Sequence, residues 1–221
     1  MRTRKKLWSE NELQTNKYIV RDSKNFKGKW KEYFNNDNPI HIEIGAGKGN
    51  FVTGMSKRET DINFVAMERA SQIIVSAARK VRESVEANEH TGNIGFILGD
   101  ASHLNEYFEY GEVERIYLNF SDPWPNKKKW AKRRLTYRAF LNMYKNILAQ
   151  NGELHFKTDN TELFEFSLNE FAHEKWHMKN ISLNLHQSEF HTTGQNIMTE
   201  YEQKFSSKGM PIYRLEASLT N

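Results

Sequence analysis

IHIEIGAGKG, residues Ile40 to Gly49, is the stretch on which the fold turns. Its first half, Ile40 to Ile44, reads as a strand, and Gly45, Gly47 and Gly49 follow before a helix. Glycines are needed where backbone must approach a ligand closely and turn sharply into a helix N-terminus. A dinucleotide-binding loop would space them GxGxxG, to lay a pyrophosphate on that N-terminus. Here the spacing is GxGxG, and Glu43 stands just before it. That carboxylate would repel a pyrophosphate and suits a cationic ligand, such as one carrying an ammonium and a sulfonium. Taken alone, the glycines also fit a plain strand-to-helix turn.

Outward from this point, from Pro39 on, short apolar runs alternate with helical patterns. Asn63 to Glu68, Ile94 to Leu98, Val113 to Phe120 and Gly152 to Lys157 read as further strands, and Ile181 to Leu185 and Ile212 to Leu219 close the sheet. Ile73, Ile74, Ala77, Val81 and Val85 recur at helical spacing, as do Phe140, Leu141, Tyr144, Ile147 and Leu148. Leu163, Phe164, Leu168 and Phe171 mark one more helix. The alternation predicts an α/β, Rossmann-like fold: a mostly parallel seven-stranded sheet with helices on both faces. A single domain is expected over residues 1–221, with a basic arm at 1–38, a catalytic core at 39–221 and a long polar loop at about 187–208. Loops of that length in a compact domain are more often functional than idle.

Two more acids fall at consecutive strand ends. Glu68 comes about 20 residues after the glycines, where a carboxylate accepts from both hydroxyls of a ribose. Asp100, after the third strand, is placed to reach an adenine amino group. The fourth strand runs into NFSDPWPNKKKWAKRR, Asn119 to Arg134, where Pro123 and Pro125 push Asp122 and Trp124 into extended backbone. Lys127, Lys128, Lys129, Lys132, Arg133, Arg134 and Arg138 follow, with Trp130 and Tyr137 among them, as a phosphate-backbone binder would need. A proline turn followed by a solvated helix start is the competing reading of this run. Trp124 and Trp130 suit either base stacking or core packing.

The glycine loop with its acid looks like the cofactor loop of S-adenosylmethionine-dependent methyltransferases of the Rossmann-like class. Together with Asp122-Pro123-Trp124-Pro125, the basic run ending KRRLTY, FKTDN at 156–160 and TEYE at 199–202, it makes the chain closely resemble the bacterial tRNA (guanine-N(7)-)-methyltransferases. The resemblance spans nearly the whole chain, from Arg2, Lys6 and Trp8 of the arm to the final strand. It implies a class I methyltransferase with S-adenosylmethionine bound by Glu43, Gly45, Gly47, Gly49, Glu68, Asp100 and Asp122, with Asp122 also catalytic. It further implies substrate contacts at Lys127, Asp159, Thr199, Glu200, Tyr201 and Glu202. The family usually has lysine directly after DPWP, whereas Asn126 stands here, so Lys127 is assigned the substrate-lysine role. Lys128, Lys132, Arg133 and Arg134 are expected on the tRNA backbone. Asp159, with Glu162 three residues on, reads equally as a helix cap.

Composition limits the alternatives. The formal charge of +4 is mild, but the clustering of Lys and Arg at 2–6 and 127–138 argues for an anionic partner. With no cysteine, disulfides and thiolate metal sites are excluded, and a reducing, cytoplasmic setting is expected. No apolar run approaches membrane-spanning length, and the N-terminus lacks the apolar stretch of a signal peptide. His173-Glu174-Lys175-Trp176-His177 matches HExxH, but Asn180 and Leu183 stand where a third zinc ligand would be required. A surface helix end is expected there, and no metal. Monomer and homodimer remain equally compatible with the sequence.

Overall fold

Continuous burial makes the central strands: every residue of Ile40–Ile44 is enclosed, as are five of the six in Asn63–Glu68. The computed structural model describes residues 7–125 and 127–219. Arg2, Lys6 and Asn126 lie outside the described residues, as do the side chains of Trp8 and Lys128. Seven strands, β1 (Ile40–Ile44), β2 (Asn63–Glu68), β3 (Ile94–Leu98), β4 (Val113–Asn119), β5 (Leu148–Thr158), β6 (Trp176–Ser182) and β7 (Tyr213–Leu219), form one sheet in the order β3-β2-β1-β4-β5-β7-β6. All pairs are parallel except those of β7, which runs antiparallel to both β5 and β6. The sheet is therefore the mostly parallel, seven-stranded one expected.

Among the described residues ten α-helices accompany it: α1 (Leu7–Thr15), α2 (Trp30–Phe34), α3 (Asn50–Arg58), α4 (Ser71–Glu86), α5 (Leu104–Tyr107), α6 (Lys128–Ala131), α7 (Arg138–Ile147), α8 (Thr161–His173), α9 (Glu189–Thr192) and α10 (Glu200–Ser206). On one face Ile40, Ile42 and Ile44 pack with Leu141 and Tyr144 of α7, Phe164 of α8 and Trp30 of α2. On the other, Phe64, Ala66 and Phe96 meet Phe51 and Val52 of α3 and Ile74, Ala78 and Val81 of α4. Each such side chain contributes roughly 1.5–3 kcal/mol by leaving water. Beyond α3 this second face turns polar. His41 and Glu43 on β1, Arg115, Tyr117 and Asn119 on β4, and Glu153, His155 and Lys157 on β5 alternate with the apolar residues of the first face. Burial pushes His41 down to about 3, so it is held as a neutral ring.

Three expectations need correction. The sixth strand is Trp176–Ser182, not 181–185. It is an edge strand anchored by buried Trp176 against Phe171, while Ile181 is half exposed, so its apolar pattern is weak. Leu148 starts β5 instead of ending α7, because it pairs with Val113 on β4. The 187–208 segment, expected as a loop, holds α9 and α10. Among the described residues no helix is long and apolar enough to cross a membrane.

Candidate active site

The chain leaves β1 toward β2 and β3 on one side and reaches β4 and β5 on the other, so strand order reverses between β1 and β4. Ligands of open α/β sheets bind at the carboxyl ends of the strands at such a point. A cavity of about 210 Å³ lies there, lined by Glu43, Gly45, Gly47, Asn119, Phe120 and the Thr199, Glu200 and Tyr201 of α10, among others. The fold thus brings the glycine loop and the TEYE segment together across more than 150 residues of chain. At that volume the cavity holds only part of a drug-sized ligand, for which about 300–1,000 Å³ is usual, so a larger one would extend along the strand ends.

Glu43 is 2% exposed, and its Oε1 accepts from Asn119 Nδ2 at 2.9 Å. Its Oε2 is buried and makes no well-formed hydrogen bond, although the Val52 N–H of α3 faces the carboxyl. Burial pushes this carboxyl up to about 7, against the Asn119 hydrogen bond and the charge of Lys157. A buried carboxyl with acceptor capacity to spare on the cavity wall suits a cationic donor. Glu68 closes the loop on itself: Oε2 accepts from the Gly47 N–H at 3.0 Å, and Oε1 from the Arg69 and Ala70 N–H groups, each at 2.8 Å. Asp100 accepts from the Ser102 N–H and hydroxyl at 2.9 and 2.7 Å, which hold it below its usual range. It sits apart from the cavity wall, within 4.0 Å of Arg69. Gly49 caps α3 at φ 74°, where an added Cβ would lie 3.0 Å from that of Ala77. Gly49→Ala should therefore lower stability by about 1–3 kcal/mol, seen as an earlier urea midpoint at unchanged slope. An unshifted midpoint would mean that α3 moves freely.

β4 ends beside the cavity. Phe120, in the left-handed region at φ 52°, turns the chain out of the sheet, and Asp122 follows it, exposed to solvent. Trp124 and Trp130 stack at 5.4 Å with 6° between planes, and Arg133 lies 4.8 and 4.7 Å from their centroids. The tryptophans thus pair with each other at the surface, half-buried. Lys127 and Lys132 are exposed. Arg134 is not available to a phosphate, contrary to expectation. It is 1% exposed, donates to the Trp124 carbonyl at 2.8 Å and to Glu162 at 2.9 Å, and packs on Phe166.

At the end of β5 the helix cap is Asn160, whose side chain accepts from the Leu163 N–H, so Asp159 is not the cap. Asp159 instead accepts from the Tyr201 hydroxyl at 3.2 Å, and Tyr201 lies 5.1 Å from Phe120. Thr199 caps α10 by accepting from the Glu202 N–H, and Glu200 reaches Lys48 of the glycine loop at 2.7 Å. Glu202 was expected to touch substrate, but it is fully buried against Lys157, His186 and Asn196. The residues missed by sequence are Asn119 and Lys157, buried polar side chains near the carboxyl ends of β4 and β5.

The HExxH motif does not lie on a helix: α8 stops at His173, Lys175 turns at φ 59°, and β6 begins at Trp176. Among the described residues Glu153, His155 and Glu216 do hold ligand-type atoms within 4.8 Å of one another. Lys179 and Arg115 already occupy Glu153, however, and Arg214 occupies Glu216. These residues belong to a second cavity, of about 430 Å³, on the polar sheet face.

Comparison with known proteins places this geometry. The sequence model of a family described as "Putative methyltransferase" matches residues 37–215. The chain is 50% identical over 221 residues to a tRNA (guanine-N(7)-)-methyltransferase of Clostridioides difficile, covering 100% of this chain and 99% of that one. It is 49% identical to one of Streptococcus agalactiae, covering 98% and 99%. Among solved structures, an antibiotic-related methyltransferase superposes with a TM-score of 0.65 at 12% identity, over 91% of this chain and 96% of the other. A 16S rRNA (adenine(1408)-N(1))-methyltransferase from Catenulisporales acidiphilia, solved with cosubstrate SAM, gives 0.62 at 13% identity, over 92% and 93%. These two likenesses establish the class I fold.

Proposed function

Since the chain belongs to the tRNA (guanine-N(7)-)-methyltransferase family, we propose that it transfers the methyl group of S-adenosylmethionine to nitrogen-7 of a guanine in the variable loop of tRNA. The buried carboxyl of Glu43, its Oε2 without a well-formed hydrogen bond, beside a left-handed glycine loop at the strand-order reversal, is the observation that supports this placement of the site. The donor set fits the cofactor. Glu43 would accept from its ammonium, Glu68 from its ribose hydroxyls and Asp100 from its adenine amine, while Gly45 and Gly47 leave open space where a Cβ would stand. When bound, S-adenosylmethionine supplies an electrophilic methyl on a sulfonium.

Guanine nitrogen-7 has a free lone pair and no proton, so no general base is required of the protein. Alignment and charge placement are its tasks, and holding the reacting atoms in line is worth roughly 7–11 kcal/mol. Asp122 would stabilise the positive charge that develops on the guanine. Asp159, oriented by Tyr201, would accept from the N–H donors of the pairing edge. Thr199 and Glu200 then serve as cavity wall, and Glu202 acts from behind it.

The decisive experiment is transfer from labelled S-adenosylmethionine to unmodified tRNA, followed by nucleoside analysis. The appearance of 7-methylguanosine is the expected result. Turnover on peptides or free nucleosides without tRNA would replace it with another methyltransferase, and cofactor binding with no transfer would leave a binding module. Lys127, Lys132 and Arg133 are proposed to meet the tRNA backbone, with Lys128 beside them in sequence. Lys127→Ala and Lys132→Ala should each flatten the log–log salt dependence of tRNA affinity by roughly one. Filter binding between about 50 and 200 mM salt measures it, and an unchanged slope would move the phosphate contacts elsewhere. We place the protein in the cytoplasm with its substrate, and sedimentation will separate monomer from homodimer.

A further inference from the structure

Lys157 on β5 is 5% exposed, and its Nζ donates to Glu202 Oε2 at 2.9 Å, Asn196 Oδ1 at 3.1 Å and the Ile197 carbonyl at 3.1 Å. Three acceptors match the three donors of an ammonium and leave none over. The ring of Phe51, on α3, lies 5.0 Å from the same nitrogen. The other oxygen of Glu202 accepts from His186 Nε2 at 2.9 Å and Asn196 Nδ2 at 2.6 Å. One sheet lysine therefore ties down residues on both sides of the chain that leads into α10, and Thr199, Glu200 and Tyr201 of that chain wall the cavity.

Across the sheet the same lysine faces the opposite wall. Asn119 stands beside Lys157 in the β4–β5 register, and Asn119 donates to Glu43. The groups facing Glu43 are Asn119, Lys157 and Glu68. Those facing Lys157 are Glu202, Glu43 and Arg214, with His186 beyond Glu202.

We propose that Lys157 is a positioning residue for the methyl transfer, fixing α10 as a cavity wall through Glu202 and placing its charge toward Glu43 on the opposite wall. The inference rests on the cofactor site proposed above. Burial draws Glu43 toward protonation, and the Lys157 charge acts against it. A lysine that only staples the fold would do the first of these jobs and not the second.

The test measures S-adenosylmethionine affinity against pH by equilibrium titration, with hydrogen exchange of residues 186–206, in wild type, Lys157→Met and Glu202→Gln. Both variants should speed exchange in that segment by roughly two orders of magnitude, while β1 and β4 stay protected. Lys157→Met should also move the pH midpoint of affinity. Loss of the lysine charge shifts it up, because Glu43 then ionises later. Loss of the Glu202 charge removes what holds the buried Lys157 ammonium charged, so Glu202→Gln is read by exchange alone. If Lys157→Met does not fold, Lys157→Met/Glu202→Met replaces the pair with apolar side chains of similar length, and it should show slow exchange but the raised midpoint. A wild-type midpoint in whichever variant lacks the lysine, or exchange rising evenly over the chain, would overturn the proposal. Wild-type protein that neither binds the cofactor nor methylates tRNA would instead overturn the function proposed for the site, whatever the exchange shows.

Discussion

Asp122→Ala should lower the turnover number by roughly 10²–10³-fold while changing cofactor affinity only a few-fold. The carboxylate follows β4, past the cavity wall, and is exposed, so removing it neither empties the core nor strands a partner. Thermal stability should therefore stay near that of wild type, which separates the effect from unfolding. Single-turnover methylation at saturating tRNA gives the rate, and titration gives the affinity. A turnover number equal to wild type would remove Asp122 from the chemistry. A loss confined to affinity would make it a cofactor ligand only.

The largest effect on stability is expected from Arg134→Ala. This guanidinium is buried between the carbonyl of Trp124, the carboxylate of Glu162 on α8 and the ring of Phe166. Truncation leaves an acceptor without its donor and a void the width of an arginine. The combined cost is about 3 kcal/mol, a fall in Tm of roughly 6–12 °C for a chain of this size. Arg134→Lys should recover little, since one ammonium cannot span both acceptors in the pose of a planar fork. Activity should fall in both variants below Tm as well, because the Trp124 carbonyl belongs to the DPWP turn that carries Asp122. A Tm equal to wild type would show that the turn is held by other contacts.

What the sequence disclosed follows from how far each signal reaches. β1, the glycine loop and Glu68 were legible because strand, turn and helix start are adjacent in the chain. Arg134 and Glu202 were read as surface contacts because the oppositely charged partners that neutralise them lie 28 and 45 residues away. In a basic run or a polar loop, sequence gives no sign of such distant neutralisation. The Asp159 cap failed by a single position, since Asn160 offers the same oxygen one residue later. β6 was misplaced because an edge strand buries little, and its one anchor, Trp176, sits inside a charged stretch. Asn119 and Lys157 did leave a trace: each is a polar residue directly after a buried apolar one, Leu118 and Phe156.

The position of β7 has a consequence for when the protein becomes competent. It runs between β5 and β6, and α10 precedes it directly, so the cavity wall is synthesised only after β1 to β6. A nascent chain on the ribosome holds the glycine loop and the acids of β1 and β2 long before α10 is available to close them. Translation itself would thus delay cofactor capture until the sheet is nearly complete.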